Sequence, residues 1–235
     1  MSCVGASAHI LACHFEGNWA TLGGGAEIFL YGRPETIVER CTFEQNVGTC
    51  SGGAMFFQEV QCQVINCETR RNYGEFGGAF FCANASPIIM GCTSFADSSF
   101  GYGSSLHCQD HCDPVLISCT FAYGYTYLPG SVVHLIHGCN PIFERCIISH
   151  GQHACAIYPE GEGTIPLLRC CNLFASEFGD WVGLIEDQAS VRGNMSCDPL
   201  FCNPTIGDLQ LQRASPCRAD SSACGAVGAW PVGCP

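Results

Sequence analysis

The chain contains no lysine. All nine of its basic residues are arginines, set against 21 acidic residues, for a net charge of −12. Schiff-base chemistry and a lysine general base are excluded, and the basic face that nucleic-acid binding needs is missing. Charge of either sign is scarce, at 13% of residues, while 47% are apolar; a disordered chain does not have that balance. No apolar run approaches the roughly 18 residues of a membrane-spanning helix. The first eleven residues carry neither a charged leader nor an apolar h-region, so no signal peptide is visible. Zinc-ribbon spacing is absent too, since Cys197-x4-Cys202 and Cys108-x3-Cys112 are not paired C-x2-C motifs.

What is abundant is glycine, with 28 residues, and cysteine, with 21. The cysteines mark a repeat. Cys13, Cys41, Cys67, Cys92, Cys119, Cys146 and Cys171 recur at intervals of 28, 26, 25, 27, 27 and 25. Pro87, Pro114, Pro141 and Pro166 each stand five residues before one of them, with apolar residues between. A phenylalanine and an asparagine follow, as in Phe15-x-x-Asn18 and Phe43-x-x-Asn46, and then a glycine pair such as Gly52-Gly53 or Gly77-Gly78.

The apolar runs are about four to six residues long and bounded by Gly, Asn or Pro, which suits strands and not helices. A unit of about 26 residues with three short strands predicts one coil of a parallel β-solenoid. Coils stacked at the strand spacing of about 4.8 Å give a rod of roughly 40 Å. The fold class predicted is all-β: a right-handed parallel β-helix of seven to eight coils over residues 1–196. An irregular Cys-rich closing segment and cap follows over 197–235. Asparagines after the bends fit left-handed turn positions. The first coil has no cap before it, which leaves two expectations: the chain starts partway through a larger β-helix, or the open edge associates end to end with another copy.

The F-x-x-N and G-G-A repeats resemble those of chlamydial polymorphic membrane proteins. Gly77–Cys82 followed by Ser86–Cys92 resembles bacterial right-handed β-helix proteins of the pectate-lyase-like superfamily. The tail Asp198–Phe201, Gly207–Leu211 and Ser215–Cys217 is similar to their closing segments. The resemblance implies an extracellular or cell-surface location, for a fold that serves lyases, hydrolases, esterases and adhesins alike. The enzymes' signatures are missing. No R-x-P-x-x-R occurs beyond the fragment Gly32-Arg33-Pro34, nor N-x-D, D-D, G-H-D, R-x-K or G-x-S-x-G.

Equivalent side chains on adjacent coils sit about 4.8 Å apart, whereas disulfide Cβ atoms want roughly 3.5–4.5 Å. The anchor cysteines are therefore expected as a ladder of buried thiols. Cys112 and Cys139 occupy matching corners where a turn could relax that spacing. Cys197, Cys202, Cys217, Cys224 and Cys234 in the tail are the expected disulfide formers.

Two neighbouring columns follow each glycine pair. One runs Ile28, Phe56, Phe81, His107, His134, Tyr158; the other runs Phe29, Phe57, Cys82, Cys108, Leu135. Side chains alternate along a strand, so only one column points inward. The cysteine-bearing column is the expected core, leaving an exposed outward stripe on which Phe56, Phe81 and Tyr158 would contact sugar rings. His107, His134 and Asp110 are the candidate catalytic group, with Asp110 orienting a histidine base. His107, His111, His134 and His137 are the candidate metal ligands. His150 and His153 lie in the next turn and would extend this cluster. Asp180 with Glu186 and Asp187 is the late acidic group that could hold calcium. No cofactor is required by the sequence; calcium and zinc are the two that these residue types would suit.

The sequence thus reads as a non-catalytic, extracellular surface or carbohydrate-contacting module. Its expected partner is a polysaccharide or cell-surface glycan, with no nucleic acid and no membrane span. The alternative is a hydrolase or lyase acting on polysaccharide, ester or lactone through the His/Asp cluster.

Overall fold

The structure, a computed structural model, describes residues 1–4, 7–21, 23–29 and 36–235, with the backbone alone for 2–4 and 26–29. Gly32-Arg33-Pro34 and the side chains of Ile28 and Phe29 lie outside the described residues, but the backbone register pairs Ile28 with Phe57 and Phe29 with Gln58, one place off the expected columns.

One coil illustrates the rest. Ile37–Glu39 forms a strand, Arg40 turns the corner, and Cys41 points inward. Thr42–Glu44 forms the second strand, Gln45 turns the next corner, and Asn46 points inward. Val47–Gly48 and a double-glycine turn then lead to the strand Met55–Gln58. Each strand is too short to persist alone; its backbone groups pair with the coils on either side.

The coils build three parallel sheets. Among the described residues sheet 1 has seven strands: His9–Leu11, Ile37–Glu39, Gln63–Ile65, Ile88–Met90, Val115–Ile117, Ile142–Glu144 and Leu167–Arg169. Sheet 2 also has seven, from His14–Glu16 to Asn172–Phe174. Sheet 3 joins the short strands before the glycine turns to the longer ones after them. The two rows fuse in the late coils into Tyr125–Ile136 and Gln152–Glu160. Register is strict: Phe81 stands between Phe56 and His107, and His134 between His107 and Tyr158.

The repeat residues are explained by what they stack on. Cys41, Cys67, Cys92, Cys119, Cys146 and Cys171 are buried free thiols, and Cys13 is an exposed one. Backbone N–H groups of Cys41 and Cys67 donate to the sulfurs of Cys67 and Cys92 at 3.4 Å. Burial pushes the Cys41 thiol up to about 11 and raises Cys92, Cys146 and Cys171 well above the ordinary thiol range, so these four stay protonated, while the hydrogen bond with Cys92 lowers Cys67. Gly53 and Gly78 are glycines because coil backbones touch there. A Cβ would lie 2.4 Å from the carbonyl oxygen of Gly78 and 2.3 Å from that of Ser104, respectively.

The asparagines do something other than turn the chain. The left-handed residue is the one before each of them: Gly17, Gln45 and Arg71. Asn18, Asn46 and Asn72 instead form an inward ladder. Oδ1 of Asn72 accepts from both the backbone N–H and the side-chain amide of Asn46, at 2.9 and 3.0 Å. The reason is donor arithmetic: the amide can accept from one coil while donating to another, which satisfies buried groups at the corner. At the next coil the residue is Asp97. Its Oδ1 accepts from the Asn72 backbone (2.7 Å) and side chain (2.8 Å). Its Oδ2 accepts from Thr69 (2.6 Å) and Ser94 (2.7 Å). Gly124 and Gly151 follow in the column, so the ladder stops there.

Residues 176–196, not the tail after 197, close the C-terminal end of the rod. Ile185, in the 3-10 helix Gly183–Gln188, is fully buried in the main core. Gln188 accepts from Leu168 N–H and donates to the Pro166 carbonyl, and Asn194 accepts from Cys171 N–H. These amides replace the hydrogen bonds a further coil would make. The segment from 197 onwards lies along the outer face of sheet 2. There Phe201, Leu209, Leu211 and Val227 form a second core with Phe95, Ala122 and Ile147. The difference has a simple cause, because those three outward side chains are apolar and need cover. Two disulfides fix the segment, Cys202–Cys234 within it and Cys170–Cys224 between it and the rod. Cys170 is a corner residue that the repeat does not single out. Cys197, Cys217, Cys112 and Cys139 remain free thiols.

Candidate functional site

The column Phe56, Phe81, His107, His134, Tyr158 points away from the core, as alternation along Met55–Gln58 and Phe80–Ala83 requires. It is a continuous stack. Ring centroids are 5.3 Å apart for Phe56–Phe81, 5.0 Å for Phe81–His107, 5.0 Å for His107–His134 and 5.8 Å for His134–Tyr158. The stripe is not exposed as expected. Phe56, Phe81, His107 and His134 are only 3, 5, 2 and 2% accessible, and Tyr158 alone is open, at 44%. The cover comes from the glycine-bounded turns: Phe76 packs on His107 at 5.3 Å and Tyr102 stacks on His134 at 4.5 Å.

The histidine pair is wired differently from the sequence reading. His134 Nδ1 lies 3.0 Å from His107 Nδ1, and His134 Nε2 lies 3.2 Å from a Glu160 oxygen. Burial, and next the neighbouring His134, push His107 down to about 3; burial also lowers His134, against the pull of Glu160. Both rings are therefore neutral at pH 7. A carboxylate only accepts, so His134 carries its hydrogen on Nε2 and accepts at Nδ1. His107 then donates from Nδ1, and its ring also hydrogen-bonds the Gln109 side chain.

Asp110 takes no part in this chain. It pairs with His137 Nδ1 at 3.1 Å and accepts from the Gln109 amide at 3.0 Å, both near solvent. The orienting carboxylate is Glu160, which sequence reasoning missed. The available signal was its place two residues after Tyr158, in the same outward row as Gln58 and Gln109. The four proposed metal ligands do not converge either. His107 and His134 bond to each other, His137 pairs with Asp110, and His111 packs beside Gly138. Among the described residues no group of three or more His, Cys, Asp or Glu is placed to hold a metal ion. Asp180 instead accepts the backbone N–H groups of Ala175 and Ser176, both at 2.9 Å. His150 stacks on Tyr123 and His153 on Tyr125, both away from the pair.

Two clefts open beside the stack. One, of about 400 Å³, is lined by Phe76, Tyr102, His107, His134, His137 and Glu160. The other, of about 560 Å³, is lined by Phe56, Phe81, Gln58, Asn84, Asp110 and His111. They share Gln109. Together they offer aromatic rings beside amides, imidazoles and carboxylates, a mixed donor and acceptor set.

A family model described as a right handed beta helix region matches residues 2–171. The chain belongs to the right-handed β-helix family. The match ends at Cys171, the last anchor, so the β-helix proper stops where the plug of residues 176–196 begins. No curated protein and no solved structure matches the chain. Among the described residues no helix is long and apolar enough to cross a membrane.

Proposed function

We propose that this β-helix is a non-catalytic, saccharide-contacting module that works outside the cell or at its surface. The observation that carries the reading is the pair Tyr102 and Tyr158. Both are partly exposed, both stack on His134, and they stand beside the cleft that holds Glu160 and Gln109. Aromatic faces pack on the apolar faces of sugar rings, and the polar rim meets hydroxyls. The absence of lysine and the net charge of −12 favour a neutral glycan over an anionic polymer. The two disulfides fit an oxidising compartment.

A second reading, a hydrolase or lyase acting on polysaccharide, ester or lactone, is favoured by the Glu160–His134–His107 chain. It holds two neutral imidazoles in a tautomer set by a carboxylate, beside a cleft. Titration calorimetry against a panel of neutral oligosaccharides separates the two. Tyr102→Ala and Tyr158→Ala should each weaken binding about tenfold or more, while Trp19→Ala, far along the sheet, should not. Turnover of esters or uronic-acid polymers that is lost in Glu160→Gln would replace the first reading by the second. Neither binding nor turnover in the panel would remove both.

A further inference from the structure

On two of the three sheets the chain itself covers part of the outward apolar surface, although Trp19, Tyr125, Tyr127 and Tyr158 of sheet 3 stay exposed. The C-terminal segment covers Phe95, Ala122 and Ile147 on sheet 2, and the glycine-bounded turns cover the aromatic stack on sheet 3. Among the described residues sheet 1 has no such cover. Its outer face carries Ile88, Val115 and Ile142 along one column and Ile65, Met90 and Ile117 along the other. Ile88 and Met90 are 40 and 36% accessible, and the others are partly exposed. With the flanking aliphatic residues the patch offers on the order of 500 Å² of apolar surface, near the upper end of what a monomer shows.

We propose that the outer face of sheet 1 docks on the same face of a second copy of this chain. Three observations select that occupant. The face consists of aliphatic ridges repeating at the coil spacing, and a second β-helix presents ridges of the same period, so the two interdigitate as packed sheets do. Its polar rim, with Gln63, Glu39, Glu144 and Arg169, brings the area close to the roughly 800 Å² per partner of a standard interface. The charges also fit an antiparallel pair. Glu39, which pairs with His9 and Arg40 in its own copy, lies on the second strand; Arg169 lies on the seventh and makes no ion pair among the described residues. A two-fold axis parallel to the strands, between Ile88–Met90 and Val115–Ile117, sets Glu39 of one copy over Arg169 of the other. A glycan would find too few hydrogen-bonding groups on this face, and an anionic lipid surface would meet a chain of net charge −12. The proposal concerns a different sheet from the saccharide cleft and stands without that reading.

Sedimentation velocity of the full chain, over protein concentrations from about 1 to 200 μM, tests it. A monomer–dimer equilibrium is expected, and Ile88→Glu should raise its Kd at least about tenfold. Arg169→Glu should weaken it several-fold, and adding Glu39→Arg should restore it. Ile88 and Arg169 are exposed, so far-ultraviolet circular dichroism spectra matching the parent chain's verify that the variants fold. A chain that stays monomeric throughout overturns the proposal. So does association indifferent to Ile88→Glu, or a double charge reversal that restores nothing. Pelleting of a monomeric chain with zwitterionic lipid vesicles would assign the face to a membrane and likewise overturn it.

Discussion

Asp97→Asn is expected to stabilise the protein by about 2–3 kcal/mol at pH 8 and to have little effect near pH 4. Asp97 is fully buried, and burial holds its carboxyl up to about 6 from an ordinary 3.8, against four hydrogen bonds that favour the ionised form. A raised carboxyl means that the folded chain keeps its proton to higher pH than the unfolded chain. Between about pH 4 and 6 the folded state binds more protons, so this residue's contribution to stability falls as pH rises and is flat above. Asparagine carries no charge to desolvate. Its Oδ1 can still accept from Asn72, and its amide can donate to the hydroxyl oxygens of Thr69 and Ser94, which rotate to suit. It also extends by one coil the ladder that Asn18, Asn46 and Asn72 begin. Urea unfolding of both chains at pH 4.5 and pH 8 provides the check. A difference that does not change with pH, or a less stable variant at pH 8, would show that Asp97 is not a desolvated carboxylate.

Ile185→Ala carries the other large expected effect, a loss of about 2–5 kcal/mol. Ile185 is the side chain that plugs the open end of the rod, and its removal leaves a cavity at the last coil. Ile206, in the segment that lies against sheet 2, is mostly exposed, and Ile206→Ala should change stability by no more than about 0.5 kcal/mol. The contrast locates the plug. If Ile185→Ala were silent while truncations in the segment after 197 exposed the end of the core, the end cap would have to be reassigned.

The coil was legible because a solenoid repeats its constraints. Cysteine, proline and glycine recur wherever the same backbone contact recurs, so Cys92 and Gly78 announce positions as well as residues. The direction of the aromatic column was legible for the same reason, since strict alternation leaves one answer once Cys82 and Cys108 are inside. Its burial was not, because the covering rings, Phe76 and Tyr102, sit in turns whose path no periodicity describes. Glu160 was missed because the last long strand carries no acidic partner on the coil before it; its column neighbour is Ile136. Asp110 is adjacent in sequence to the histidine strand, yet its left-handed corner aims it at His137 instead. The tail misled for a related reason. Its cysteines predict staples, but which surface they staple depends on where outward apolar residues of sheet 2 lie uncovered.

An anomalous sulfur map of native crystals tests the stacked-coil account most directly. It should show the sulfurs of Cys13, Cys41, Cys67, Cys92, Cys119, Cys146 and Cys171 in one line, at steps of about 4.8 Å. Cys82 and Cys108 should form a shorter parallel line, and bonded sulfur pairs should appear only in the C-terminal region. Anchor sulfurs scattered through the molecule, or joined in pairs along the line, would contradict it.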